Sequence, residues 1–342
     1  MIRIVTLPIF ALIAFGSYGQ SDAGAYMDVI GQQFQKISHD MMSYSSAANH
    51  GKSARKIDKS RTELLLQVRE SEGTVRKMKP FNGTTTLRDS MAAYFKMTGQ
   101  LLNQDYAKIV DMEEIAEQSY DAMEAYLLAK EKAEEKLDGA YKSATAQYEA
   151  FATANNIKLI KSESELSVKL EKTNRVSEYT NKAYLLFFKS YKNEAYLMDA
   201  MSRQDITALE QSRNALATSA TEDLQKVPPL GSFEGDATLR NALQQILNFY
   251  KVEANDKIKL YSDFLIAKDN FERIKKSFDA LPASKRTKEN VDTYNKAIAD
   301  FNSKVNSSNA VNQELNKKRS SSLEVWNDAY ENFLDKHTPK YK

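Results

Sequence analysis

From residue 26 onward, apolar side chains recur three or four positions apart. Tyr26, Ile30, Phe34, Ile37, Met41 and Tyr44 form one such stripe, the spacing that holds side chains on a single face of an α-helix. A second helix is predicted through Ile57, Leu64, Leu65, Val68 and Val75. A third starts near Thr85 and carries Leu87, Met91, Tyr94, Phe95, Leu101, Leu102, Ile109 and Val110. A fourth runs to about Ala154 through Tyr126, Ala133, Leu137, Tyr141, Tyr148 and Phe151, with Asn155-Asn156 as its stop. Short connections between amphipathic helices predict antiparallel neighbours, so the pattern reads as an all-α, up-down bundle.

The order then recurs. Phe81-Asn82-Gly83-Thr84-Thr85-Thr86-Leu87-Arg88-Asp89 matches Phe233-Glu234-Gly235-Asp236-Ala237-Thr238-Leu239-Arg240-Asn241 at an offset of 152. Tyr26 matches Tyr179, and Tyr141-x6-Tyr148 matches Tyr294-x6-Phe301, both at 153. Pro80 precedes the first turn, and Pro228-Pro229 precede the second. These landmarks predict a duplicated, elongated bundle with one repeat over 20–157 and the other over 158–342. The linker from Lys158 to Ser164 has neither Gly nor Pro, which predicts stiff coupling of the halves.

The repeated turn is the one motif of the chain. Gly83 and Gly235 would supply positive φ, while Thr84 and Asp236 would cap the helix that follows. Phe81 and Phe233 would plug the bundle end. Arg88 and Arg240 sit where a cation opposes the helix dipole. Each is therefore expected to pair with a carboxylate on a neighbouring helix or loop. Read functionally, the two arginines would receive an anionic ligand. The structural role is the stronger expectation. A second candidate is the aromatic cluster Tyr184, Phe187, Phe188 and Tyr191, wider than one seam needs. It is expected to cover the junction of the halves, with an apolar groove as the alternative.

Composition supports helix and narrows the chemistry. Gly and Pro are scarce, at 11 and 6. Apolar residues make up 42%, enough for a true core. Cysteine is absent, which removes thiol chemistry, Cys-ligated zinc and a lipid-anchored cysteine. Lys and Arg number 48 against 46 Asp and Glu, a balance that offers no field to attract nucleic acid or anionic lipid.

Residues 1–19 change the expected location. Arg3, the apolar run Ile4–Phe15 and Ser17-Tyr18-Gly19 have the pattern of a cleaved secretory signal, leaving Gln20 first. The apolar run is too short to span a bilayer, and no transmembrane segment is expected in the mature chain. The protein is expected in the periplasm, on the surface or outside.

No chemical constellation emerges. His50-Gly51-Lys52-Ser53 mimics the end of a phosphate-binding loop, but Ser46 stands where its first glycine belongs and a helix precedes it. His39, His50 and His337 have no Glu three residues before them, so the di-iron bundle pattern is missing, and each reads as a surface residue. No catalytic residue, cofactor or metal is assigned, and no enzymatic activity is expected.

Signal, duplicated bundle and paired F-x-G-x-x-T-L-R turns together resemble an uncharacterised family of exported bacterial helical proteins labelled "surface protein". The resemblance implies an all-α fold outside the cytoplasm and no known activity. The sequence therefore points to a non-catalytic envelope or surface module that binds a macromolecule or contributes structurally. The alternative is a small-ligand binder using the aromatic groove or the paired arginines.

Overall fold

The computed structural model describes residues 22–50, 53–159 and 164–341. The side chains of 54, 104–118, 126–127, 129–131 and 133–134 are not among those described. The expected leader 1–19 lies outside the described residues, as do the side chains of Ile109, Val110, Tyr126 and Ala133. The chain is all-α. Among the described residues the only β pairings are the isolated bridges Phe81–Thr84 and Phe233–Asp236, and no helix is long and apolar enough to cross a membrane.

Backbone contacts divide the chain into two compact units, Met1–Thr180 with Glu331–Lys342, and Asn181–Tyr330. The first holds α1 (Asp22–Asn49), α2 (Ala54–Arg76), α3 (Thr86–Gln118), α4 (Tyr120–Ala154) and the start of α5 (Glu165–Arg203). Contacts on either side of each connection show antiparallel pairing. Ser71 on α2 donates to Gln33 on α1, the Gly99 position on α3 lies against Val68 on α2, and the rings of Tyr94 and Tyr141 meet 5.6 Å apart across α3 and α4. The expected stripes form the core: Ile30, Ile37, Met41, Leu64, Val68, Met91, Phe95, Leu137 and Tyr148 are all buried. The α4 stop is where the sequence placed it. Asn155 returns its side-chain amide to the Phe151 carbonyl at 2.8 Å, and Asn156 takes φ +55, a left-handed value Asn tolerates.

The compact units do not coincide with halves bounded at 157/158. Leu170 of α5 joins the first core, and the Thr173 hydroxyl contacts the Met42 sulfur at 3.8 Å. At the far terminus, Asn49 donates to Thr338 at 3.1 Å and Tyr341 N to the Ser46 hydroxyl at 3.1 Å. Packing, not sequence repetition, sets the division.

The second unit holds the rest of α5, then α6 (Ile206–Leu230), α7 (Thr238–Val252), a π-turn (Glu253–Lys257), α8 (Ile258–Asp279), a 3₁₀ turn (Ala283–Lys285) and α9 (Lys288–His337), the last of which ends in the first unit. Asp205 caps α6 by accepting from Thr207 N and Ala208 N. Pairing is again antiparallel: Ser190 to Ser219 across α5 and α6 at 3.1 Å, and Ser262 to Glu210 across α8 and α6 at 2.5 Å. Buried Trp326 of α9 stacks on Phe187 of α5 at 4.7 Å.

Helices α8 and α9 continue as a pair beyond the α5–α6 connection, which Lys268 touches through Gln204. Between Ala267 and Ser308 only Ala297 is buried. This arm is held by a ladder of rings at heptad spacing: Phe264 and Phe271 against Phe301, and Phe271 and Phe278 against Tyr294. The Arg286 guanidinium closes the ladder 4.3 Å from the Phe278 ring. The landmark Tyr141-x6-Tyr148 therefore does not share an environment with Tyr294-x6-Phe301. The first pair is core, and the second is half-exposed on the arm.

Candidate functional site

The two repeated turns have one geometry. Phe81 and Thr84 exchange two backbone hydrogen bonds of 2.9 Å, and Phe233 and Asp236 do the same. Both central residues are left-handed, Asn82 at φ +46 with Gly83 at +80, and Glu234 at +51 with Gly235 at +84. This is the two-residue reversal that Asn-Gly favours; Glu234 is the unexpected occupant, because a left-handed Glu is uncommon.

Phe81 closes the bundle end as expected, in a trio with Tyr26 at 5.3 Å and Phe151 at 5.1 Å; Phe233 is buried. The caps differ from expectation. Thr85, not Thr84, precedes α3, without a side-chain cap bond. Asp236 does accept from Thr238 N at 2.8 Å, and from its hydroxyl at 2.6 Å.

The arginines also differ. Arg88 donates to its neighbour Asp89 at 2.8 Å and to the Met78 carbonyl at 3.1 Å, just past the end of α2. Arg240 donates to the Asn241 amide oxygen at 3.1 Å. Neither takes the expected carboxylate on another helix or loop, because the start of each helix brings an acceptor at the next position. Hydrogen bonds from Arg88 and Thr85 hold the Asp89 carboxyl below the usual carboxylate range. Beside the first turn lies a cleft of about 400 Å³. Its lining is uncharged and includes Asn82, Thr84, Gln147, Phe151 and Asn155.

The aromatic cluster is largely interior. Phe187 and Phe188 are 5% and 3% exposed, which leaves little of them to line an open groove; Tyr184 and Tyr191 are half-buried. The rings stack on one another, Tyr184 with Phe188 at 5.5 Å and Phe187 with Tyr191 at 5.3 Å. Two histidines depart from a surface role as well. The His50 side chain is 5% exposed, bonded to Asp335 at 2.7 Å, and His337 is buried with its ring 4.4 Å from Phe333. His39 stays exposed, beside Asp40.

The most concentrated chemistry in the second unit was not singled out from sequence. The guanidinium of Arg319 on α9 bridges Glu194 on α5 and Glu253 at the start of the π-turn. Both carboxylate side chains are nearly inaccessible, at 4% and 0%, and that of Arg319 is 13% exposed. The two carboxyl groups thus meet on one guanidinium. The Tyr250 hydroxyl and Glu253 Oε2 are buried without a hydrogen-bond partner. Burial, reinforced by the charge of Glu194 and opposed by Arg319, pushes Glu253 up to about 8. Burial likewise raises Glu194, against Arg319, and raises Tyr250 well above the usual phenol value. A π-turn adds one residue to a helical turn and often marks a functional position; here it turns Glu253 and Ala254 inward.

A signal for this cluster did exist. Glu194 interrupts the stripe Phe187, Leu197, Met201, and Arg319 interrupts Leu315, Trp326, Tyr330. Charges at core positions are seldom buried unless paired. Among the described residues no group of His, Asp or Glu has the arrangement of a metal site. Comparison with family models, curated proteins and solved structures gave no match for the chain.

Proposed function

We propose that the protein is an exported, non-catalytic helical module of the cell envelope or surface that binds a macromolecular partner. The observation that carries this reading is the α8–α9 arm. A helical pair of this length with a single buried residue and a half-exposed ring ladder adds little to its own core. It does offer a long face for another macromolecule. The alternative, a small-ligand binder using the aromatic groove or the paired arginines, draws less support. Phe187 and Phe188 are buried, and Arg88 already satisfies Asp89 and the Met78 carbonyl. Photo-crosslinking residues placed at Glu272 and Asn295 of the arm, with Lys59 of α2 as control, test the reading in intact cells. A specific adduct from the arm alone is expected. No adduct, or equal adducts from Lys59, would overturn it.

A further inference from the structure

We infer that Glu194 and Glu253 form a buried proton-binding site at the start of the π-turn. The geometry favours a proton. Two nearly inaccessible carboxyl groups share one guanidinium, so the fully ionised cluster would carry a net negative charge in a site closed to water. Uncompensated charge in such surroundings is strongly unfavourable. Holding one proton makes the cluster neutral. The unpartnered Glu253 Oε2 and Tyr250 hydroxyl are polar atoms already inside the site.

Among the described residues, the surrounding groups supply no second cation to this pair. From α5, Tyr191 faces the cluster beside Glu194; from α7, Tyr250 does. On α6, Arg213 is bound to Glu210 and reaches the Ala254 carbonyl at 3.4 Å. Lys257 of the π-turn pairs with Glu314 of α9 at 3.0 Å. Arg319 alone among these cations contacts the dyad, and it also donates to Asn316.

The stability consequence has a definite sign. A carboxyl group raised in the folded state binds more protons there than in the unfolded chain. Its stabilisation is full below the ordinary glutamate value of 4.5 and is lost as pH rises through about 8. Glu314, held down by hydrogen bonds from Lys318 and Lys257, acts in the opposite direction, so the comparison must be made against a variant of the dyad. Glu253→Gln keeps the size and removes the titration.

Unfolding of the full chain by urea from pH 5 to 9 reads the effect. The unfolding constant of the wild type relative to Glu253→Gln is expected to rise by up to about tenfold per pH unit until about pH 8, then level off. A ratio independent of pH would overturn the proposal. Titration of the wild type by ¹³C-carboxyl glutamate NMR decides the matter even where the variant fails to fold. One carboxyl resonance moving near pH 8 is expected, and a full set titrating below pH 6 would overturn it.

Discussion

Asn82-Gly83 and Glu234-Gly235 occupy the same left-handed pair of positions, yet they reach it at different cost. Asn tolerates positive φ because its short side chain bonds locally, whereas Glu has no such compensation. The glycines themselves are held by conformation alone, since a Cβ at either would meet nothing within 4 Å. Gly83→Ala and Gly235→Ala should therefore each lower stability by about 1 kcal/mol, purely from backbone strain. Gly139→Ala should do the reverse. Gly139 lies inside α4 with open space around its Cβ position, and helix propensity favours Ala by about 0.5–1 kcal/mol. Urea midpoints of the three variants check the contrast. A neutral Gly235→Ala would mean that the second turn relaxes to another form. The turn was legible because its glycine need is local. The acceptors of Arg88 and Arg240 were not, since a sequence shows that a cation wants a partner and not which neighbour supplies it.

At the scale of elements, the helices were legible wherever an apolar stripe met a stop. Asn155 ends α4 with its own amide, and every apolar residue named for α2 is buried. The π-turn was hidden. It leaves composition unchanged and betrays itself only through charges at stripe positions, Glu194, Glu253 and Arg319, that pair across three separate elements. The arm was hidden for a related reason. Its heptad of rings, Phe264, Phe271, Phe278, has the same period as a core stripe, and periodicity alone does not tell whether further helices cover it. Caps are the clearest local test at this scale. Asp205 satisfies two free amides at the start of α6, at 3.1 and 3.0 Å. Asp205→Ala should cost about 1 kcal/mol, and Asp205→Ser should recover most of it. The thermal midpoint measures both, and an Asp205→Ser as low as Asp205→Ala would mean that charge, not capping, is what α6 uses.

For the molecule as a whole, the arm separates what folds the chain from what the chain is proposed to do. Its side chains are exposed or half-buried apart from Ala297. The second unit's buried residues Trp326, Leu243, Tyr250 and Ile258, by contrast, lie outside it. Replacing residues 269–303 by a short Gly-containing turn removes the ring ladder but none of that core. Phe301 packs between Phe264 and Phe271 on the facing helix and Lys304 reaches Asp263 at 3.5 Å, so the two cut ends are near enough for a short turn to join them. Unfolding free energy should then change by less than about 2 kcal/mol, since large losses come from core or buried-charge disruption. The urea m-value should fall with the smaller surface exposed. In the same cells, partner adducts should vanish for the shortened chain, detected through a crosslinker moved to an exposed residue near the cut such as Lys259. A stable shortened protein that still captures the same partner would place binding elsewhere. An unfolded one would show that the ladder holds the second unit together, and the arm would then be a structural element instead of a binding face.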